Sequence, residues 1–212
     1  MNKSLLAAVS LLLSPMLLAA PLSHYQDSWA QIKYQMAKKQ QEKAFASLRD
    51  EVLAEIQAHP DNADYLIWGG IINASYAGAR GGLGALKYVK EAKKELEQAI
   101  KLDPNALQGS AYTSLGSLYY QVPGWPIGFG DDDKAEANLK KALAINPDGI
   151  DPNFFYGDFL LEDRHYQEAK TYLEKALAAK PRQGREVADA GRRGEIQERL
   201  DKINAKLGKR NK

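Results

Sequence analysis

The side chains that most often carry catalysis or bind metals are few in this sequence and lie far apart. The chain has no cysteine, which excludes disulfides, thiolate metal sites and a cysteine nucleophile. Its three histidines, His24, His59 and His165, show neither the HxxxH nor the HExxH spacing that places two ligands on one helical face. No Ser-His-Asp order stands out either. We therefore expect no enzyme activity, no cofactor and no metal site.

The consecutive aspartates at 131–133 could bind Ca²⁺ only weakly. An EF-hand needs alternating ligands and a later glutamate, and this segment lacks them. Asp133 and Glu136 instead match a helix N-cap and its partner three residues later. We therefore expect these aspartates to begin a helix.

The glycine-rich stretch at 78–84 contains neither GxxxxGK[ST] nor GxGxxG, so it is not a recognisable phosphate loop. Its glycines are expected to permit a tight turn. Arg80 and Lys87 lie close to it in sequence and could contact an anion.

Positive charge gathers near the C-terminus in Arg182, Arg185, Arg192 and Arg193. Such a group could receive a carboxylate or a phosphate. We favour a solvated face on which Glu186 and Asp189 act as internal partners. Over the whole chain, Lys and Arg number 29 against 27 Asp and Glu, a net charge of +2. That balance argues against a nucleic-acid partner.

The N-terminus has the order of a secretory signal peptide. Lys3 precedes an apolar run at 5–20 that closes with small residues. The run is shorter than the roughly 20 residues that span a bilayer, and Pro15 interrupts it. We expect cleavage near Ala19, no membrane span in the mature protein, and a periplasmic location, although full secretion is compatible with the same signal.

Three segments repeat the pattern A-x3-L-x2-A-x4-P, whose spacing places its alanines and leucine on one helical face. The small alanines allow a close helix neighbour, and the proline ends each unit. The positions are Ala92, Leu96, Ala99 and Pro104; Ala135, Leu139, Ala142 and Pro147; and Ala169, Leu173, Ala176 and Pro181.

A glycine between large apolar residues precedes each of these segments, at Gly69, Gly116 and Gly157. Glycine costs about 1 kcal/mol relative to alanine in a helix, so its recurrence indicates close helix packing. Together the two patterns resemble the tetratricopeptide repeat, a helical pair of 34 residues. This resemblance implies an all-α, right-handed helical solenoid.

The chain divides on this basis into four parts. After the signal peptide at 1–19, residues 20–61 read as an N-terminal helical pair, a degenerate repeat or cap. Residues 62–182 carry three repeats. At 183–212 we expect a capping helix and tail, because apolar residues recur along one face at Ile196, Leu200, Ile203 and Leu207.

The first two repeats are longer than the third. From the glycine to the following alanine the spacing is 12 residues in the third repeat, 19 in the second and 23 in the first. The extra residues form two insertions, 75–90 and 121–134, which we expect to lie side by side and to wall one end of a groove. Trp125 and Phe129, held by Pro and Gly, either fold back to plug the solenoid, which we favour, or anchor a partner.

The resemblance implies that the first helix of each repeat lines a concave groove. By alignment the groove positions are Asn73, Ser117, Tyr120, Gln121, Phe154, Asp158 and Glu162. They include no Lys or Arg, so the basic clamp by which some members bind a terminal carboxylate is missing. We expect a scaffold for a protein or peptide partner in the cell envelope. The alternative is an accessory subunit of an envelope transport system that encloses a small ligand with the inserted loops.

Overall fold

The protein is described here by a computed structural model covering residues 20–210, so the signal peptide predicted at 1–19 lies outside the described residues. Within 20–210 the chain forms helices and no strand, which confirms the all-α expectation. In order, α1 to α9 are Leu22–Gln35, Lys38–Ala58, Ala63–Arg80, Ala85–Leu102, Ser110–Gln121, Asp132–Ile145, Ile150–Glu162, Tyr166–Ala178 and Glu186–Arg210. A short 3-10 helix, Ala106–Gly109, precedes α5. No helix in this range is both long and apolar enough to cross a bilayer.

Helices α3 and α4, α5 and α6, and α7 and α8 pack together as the three predicted pairs. The repeated alanines and leucine of α4, α6 and α8 form their contact faces, and every one of these nine side chains is fully buried. Burying a leucine contributes about 1.5–3 kcal/mol, so the three leucines are principal anchors of the pairs. They are Leu96, Leu139 and Leu173.

A glycine on the first helix of each pair allows this close packing. A Cβ atom at Gly116 would lie 2.7 Å from Cγ of Leu139, and one at Gly157 would lie 2.8 Å from Cγ of Leu173. In the first pair the equivalent glycine is Gly70, where a Cβ would lie 2.6 Å from Cγ of Leu96. The predicted Gly69 is therefore wrong by one residue.

Turn chemistry fixes where the helices begin and end. Helices α2, α4, α6 and α8 each end two or three residues before a proline. The residue that precedes a proline disfavours the helical conformation, so a helix ends before it. Asn62 caps α3 by accepting from the backbone N–H of Asp64 and Tyr65. Helix α6 is capped by Asp131, which accepts from N–H of Lys134 at 3.0 Å. The predicted cap at Asp133 is wrong because the helix begins earlier.

The two insertions take different forms. Residues 75–90 extend the helices of the first pair, and only 81–84 lie between α3 and α4. The second insertion is a true loop between α5 and α6. Backbone hydrogen bonds hold it, including Gly130 N–H to the Pro123 carbonyl at 3.0 Å and Asp131 N–H to the Tyr119 carbonyl at 2.9 Å.

Helix α9 joins the two ends of the solenoid. It has 25 residues and is about 37 Å long. Its apolar stripe, including the buried Ile196, Leu200 and Ile203, packs with the repeats, as the capping prediction requires. Its first turns also contact α1, and Ala188 joins the cluster formed by α1, α2 and α3. The solenoid therefore curls until its first and last helices meet.

Candidate binding groove

A large groove of about 1970 Å³ runs along the inner face of the solenoid. Its walls come from the first helices of the three pairs, α3, α5 and α7, and from the ends of the solenoid, α1 and α9. Its lining contains both apolar and polar side chains, among them Ile71, Thr113, Phe155 and Lys175. This mixed lining is typical of a surface that contacts another macromolecule.

Six of the predicted groove positions line this space: Ser117, Tyr120, Gln121, Phe154, Asp158 and Glu162. Their accessibility differs. Gln121 and Glu162 are exposed, whereas Phe154 is buried beneath the guanidinium of Arg192, 4.3 Å from its ring centre. The six aligned positions therefore lie along one wall, and only part of that wall is accessible.

Asn73 does not line the groove, so this prediction is wrong. Its side chain is fully buried between neighbouring helices, where Oδ1 accepts from Nε of Arg49 at 2.6 Å and Nδ2 donates to Glu95 at 2.8 Å. The one-residue error at Gly69 caused the misplacement. Counting from Gly70 instead gives Ala74, which does line the groove.

Asn73 instead belongs to a buried polar cluster between α2, α3 and α4. Burial raises the pKa of Glu95 to about 7, and the nearby charge of Glu91 contributes, although the Asn73 hydrogen bond and the Arg49 charge oppose the shift. Glu95 therefore changes its charge close to neutral pH.

Trp125 and Phe129 lie outside the groove, contrary to their prediction as groove residues. Trp125 is 89% exposed, so the expectation that it plugs the solenoid is wrong. Phe129 is half-buried, with its ring 5.7 Å from that of Tyr119 and under Nζ of Lys93 at 5.8 Å. Phe129 thus secures the loop against α4 and α5, and Trp125 is presented outward.

Both insertions contribute residues to the wall of the groove, and their predicted side-by-side placement stays a prediction. Leu83 and Leu86 line it from the first insertion, and Val122 and Ile127 from the second. Leu83 is 82% exposed and Ile127 58% exposed, so each insertion places an apolar side chain at the opening. Arg80, which could have contacted an anion, pairs with Glu42 of α2 at 3.1 Å.

A polar network crosses the groove at its C-terminal end. The hydroxyl of Tyr120 donates to Oδ2 of Asp158 at 2.9 Å, and Nε of Arg199 donates to Oδ1 at 2.8 Å. Burial and the Asp158 carboxylate raise the pKa of Tyr120, which therefore keeps its proton. These groups connect α5, α7 and α9 and hold the groove walls in place.

The C-terminal arginines do not form a solvated face, so that part of the favoured interpretation is wrong, but the expected internal partner Asp189 does pair with Arg182. Arg182 and Arg192 both bind Asp151 of α7, at 2.6 and 2.8 Å, and Arg182 also binds Asp189. Burial alone would raise the pKa of Asp151, but the two guanidiniums lower it to about 2. Arg193 donates to the carbonyls of Leu177 and Ala179, where α8 ends. These contacts attach α9 to the last repeat.

The contact between the first and last helices is specific. The hydroxyl of Tyr34 donates to Glu195 at 3.1 Å, and Lys33 lies 3.8 Å from the same carboxylate. The Tyr34 ring lies so close to Gly191 that no Cβ would fit there. This contact joins residues 161 positions apart. In the sequence, the local feature that relates to this contact is Gly191, a glycine within a long helix.

Two sequence models, both described as tetratricopeptide repeat, match the chain, one over residues 127–193 and the other over residues 83–106. The fold is thus a tetratricopeptide-repeat-like helical solenoid. The matched segments contain the buried alanine and leucine faces of α4, α6 and α8, so the repeat pattern and the packing agree.

Among solved structures, one titled "Crystal structure of MamA" resembles this chain, with 22% sequence identity and a TM-score of 0.46. The superposition covers 82% of this chain and 95% of that one. A similarity this loose transfers no property of MamA. A search of curated protein sequences found no significant match.

Proposed function

We propose that this protein is an exported scaffold that holds a segment of a protein partner in its concave groove. The observation that carries the proposal is the groove itself, about 1970 Å³ in volume, lined by the first helices of all three repeats. The packed pairs and α9 make its walls rigid. Because a rigid wall has little conformational freedom to lose, binding a flexible segment costs less entropy in total.

The size of the groove favours a protein segment over a small ligand. Pockets for small molecules usually have volumes of about 300–1,000 Å³ and enclose most of the ligand. This groove is larger and is not enclosed. The inserted segments do not close the groove, because Leu83 and Ile127, which line it, remain exposed.

Leu83 and Ile127 line the groove and are exposed, so they are suited to contact the partner where it enters, and Trp125 projects outward from the same loop as Ile127. Exposed large apolar residues that cluster near a groove indicate an interaction surface. The Trp125 loop is held by its own backbone hydrogen bonds, so binding would order few additional atoms. Tryptophan is among the residues that contribute most to protein interfaces.

A groove-filling variant tests this proposal. Ser114 lies on α5, is half-buried and lines the groove, so Ser114→Trp should obstruct partner binding. Ala137 is exposed on α6 and does not line the groove, so Ala137→Trp is the matched control. Affinity capture from envelope extracts, with quantitative mass spectrometry, should show partners lost with Ser114→Trp and retained with Ala137→Trp. Equal retention by both would refute groove binding.

We further infer that the protein is exported to the periplasm, on the strength of the charged, apolar and small residues at 1–19. N-terminal sequencing of the native protein should begin near Ala20. Recovery of Met1 would refute cleavage.

A further inference from the structure

Ala20, two residues before α1, is held at both ends of its backbone. Its N–H donates to Oε1 of Glu55 at 2.9 Å, and its carbonyl accepts from the hydroxyl of Tyr65 at 3.0 Å. Its methyl group packs against the hydrophobic cluster of α1, α2 and α3. Because Glu55 belongs to α2 and Tyr65 to α3, these contacts attach the start of α1 to two other helices.

The carboxylate of Glu55 is placed where a cation is favoured. Its side chain is only 14% exposed, and within residues 20–210 its ion pairs include only the histidine His59, at 3.8 Å. Glu55 also lies in the last turn of α2, which contains no basic residue. The C-terminal end of a helix carries partial negative charge, so a carboxylate there is unfavourable unless a cation lies nearby.

The tyrosines beside this carboxylate experience the same negative charge. Burial raises the pKa of Tyr25 to about 12, and the charges of Glu55 and Glu51 contribute. Burial also raises the pKa of Tyr65, and the charge of Glu55 adds to that shift. Tyr65 therefore keeps the proton that it donates to Ala20, and the surroundings of the Ala20 nitrogen are negative.

We propose that cleavage of the Ala19–Ala20 peptide bond supplies the cation, and that Glu55 is the binding site for the N-terminal ammonium group of the processed protein. The cleavage is a hydrolysis by a signal peptidase: the oxygen of water adds to the Ala19 carbonyl carbon as the C–N bond breaks, and the Ala20 nitrogen takes both protons. A carboxylate and an ammonium result. The inference rests on the proposed export.

Processing at this bond changes the charge of the donor without moving it. The nitrogen that donates to Glu55 as a neutral amide becomes an ammonium at the same position, so a hydrogen bond becomes an ion pair. Hydrogen bonds between two charged groups are about twice as strong as neutral ones. Because α1 packs against α9 and Trp29 of α1 lines the groove, the ion pair also stabilises that end of the groove.

The contacts of Ala20 distinguish this bond from its neighbours. Cleavage after Ala20 would remove both of its hydrogen bonds and would require Pro21 to follow the cleaved bond directly. Cleavage after Ser23 would also remove Leu22 and Ser23, the first two residues of α1. Cleavage before Ala20 keeps every contact described above.

Removal of the terminal charge tests the ammonium site. The exported, processed protein is compared with the same protein after selective acetylation of its α-amino group, which keeps an N–H donor and removes the charge. At about pH 7 a free α-amino group is mostly charged. Acetylation should therefore lower the melting temperature by about 2–4 °C, the shift expected when a partly buried ion pair is lost from a domain of about 200 residues.

Two glutamine variants on α2 identify the partner. Glu55→Gln should abolish the effect of acetylation, because the carboxylate is gone. Glu51→Gln is the matched control, since Glu51 lies one turn earlier, pairs with His24 at 2.9 Å and has a side chain that is 48% exposed. This variant should keep the full effect of acetylation.

N-terminal sequencing of the same purified protein identifies the cleaved bond, and Ala20 should be its first residue. Met1 would refute both the ammonium site and export, whereas any other first residue would refute the ammonium site and leave export intact. If Ala20 is first but acetylation leaves the melting temperature unchanged, or lowers it equally in Glu55→Gln, the ammonium site alone is wrong. Groove binding is tested separately by Ser114→Trp.

Discussion

The close approach at Gly157 can be measured against a second helical glycine in the same chain. A Cβ added at Gly157 would lie 2.8 Å from Cγ of Leu173 and 3.2 Å from the Ala169 carbonyl oxygen. Gly194 of α9 has no such neighbour within 4 Å. The substitutions Gly157→Ala and Gly194→Ala are therefore chemically identical but differ in the space that the new methyl group meets.

The expected magnitudes follow from two opposing effects. Alanine stabilises a helix by about 1 kcal/mol relative to glycine, and this gain applies at both positions. Forcing an extra carbon into a packed interface costs about 1–3 kcal/mol, and this cost applies only at Gly157 because Leu173 is fully buried. Gly194→Ala should therefore raise the free energy of unfolding. The change in this free energy for Gly157→Ala should be about 1–3 kcal/mol less favourable than the change for Gly194→Ala.

Urea unfolding followed by circular dichroism measures both variants. Truncating the neighbour supplies a further control, because in a Leu173→Ala background the penalty at Gly157 should largely disappear. A double-mutant cycle isolates that coupling. The packing argument is refuted if the two alanine variants change stability equally, or if the penalty at Gly157 persists without the leucine side chain.

Three other substitutions test the core, the loop and the buried acid. Leu139→Ala should lower the free energy of unfolding by about 2–5 kcal/mol in urea titration, because its side chain is fully buried; a loss below 1 kcal/mol would contradict this. Trp125→Ala should change thermal stability little, by about 0.5 kcal/mol at most, because the ring is 89% exposed; a larger loss would show that the loop is packed. Glu95→Gln should stabilise the fold by about 1–3 kcal/mol near pH 8 and have little effect below about pH 4.5, measured by unfolding at both values. The pKa of Glu95 is raised from 4.5 to about 7 in the fold, so its favourable contribution is complete below the unfolded value and is lost as the pH rises through 7. An equal effect at both pH values would contradict the shift.

The repeated contacts were predictable from sequence because they are local and periodic. The alanine and leucine positions of α4, α6 and α8 follow directly from their spacing and are all buried. The register of the first repeat was ambiguous because Gly69 and Gly70 are adjacent, and only packing against Leu96 distinguishes them. Asn73 was misplaced for that reason alone.

Long-range contacts account for what the sequence could not predict. The arginines near 182–192 looked solvent-exposed because their partner, Asp151, is about 30–40 residues away in the chain. The contact between α1 and α9 depends on the curvature of the whole solenoid, which accumulates from small rotations between repeats. Trp125 is exposed because backbone hydrogen bonds within its loop fix that conformation, and side-chain types alone did not reveal it.

Site-specific photo-crosslinking tests the central claim most directly, namely that the groove holds a protein segment. A photoreactive amino acid replaces Gln121, which is exposed and lines the groove, or Ala137, which is exposed on α6 away from it. After irradiation in cells, the variant at Gln121 should form a discrete crosslinked species containing a second protein, and the variant at Ala137 should not. Peptide mapping should place the crosslink within one contiguous partner segment. Crosslinks of equal yield at both positions, or none at Gln121, would contradict the account.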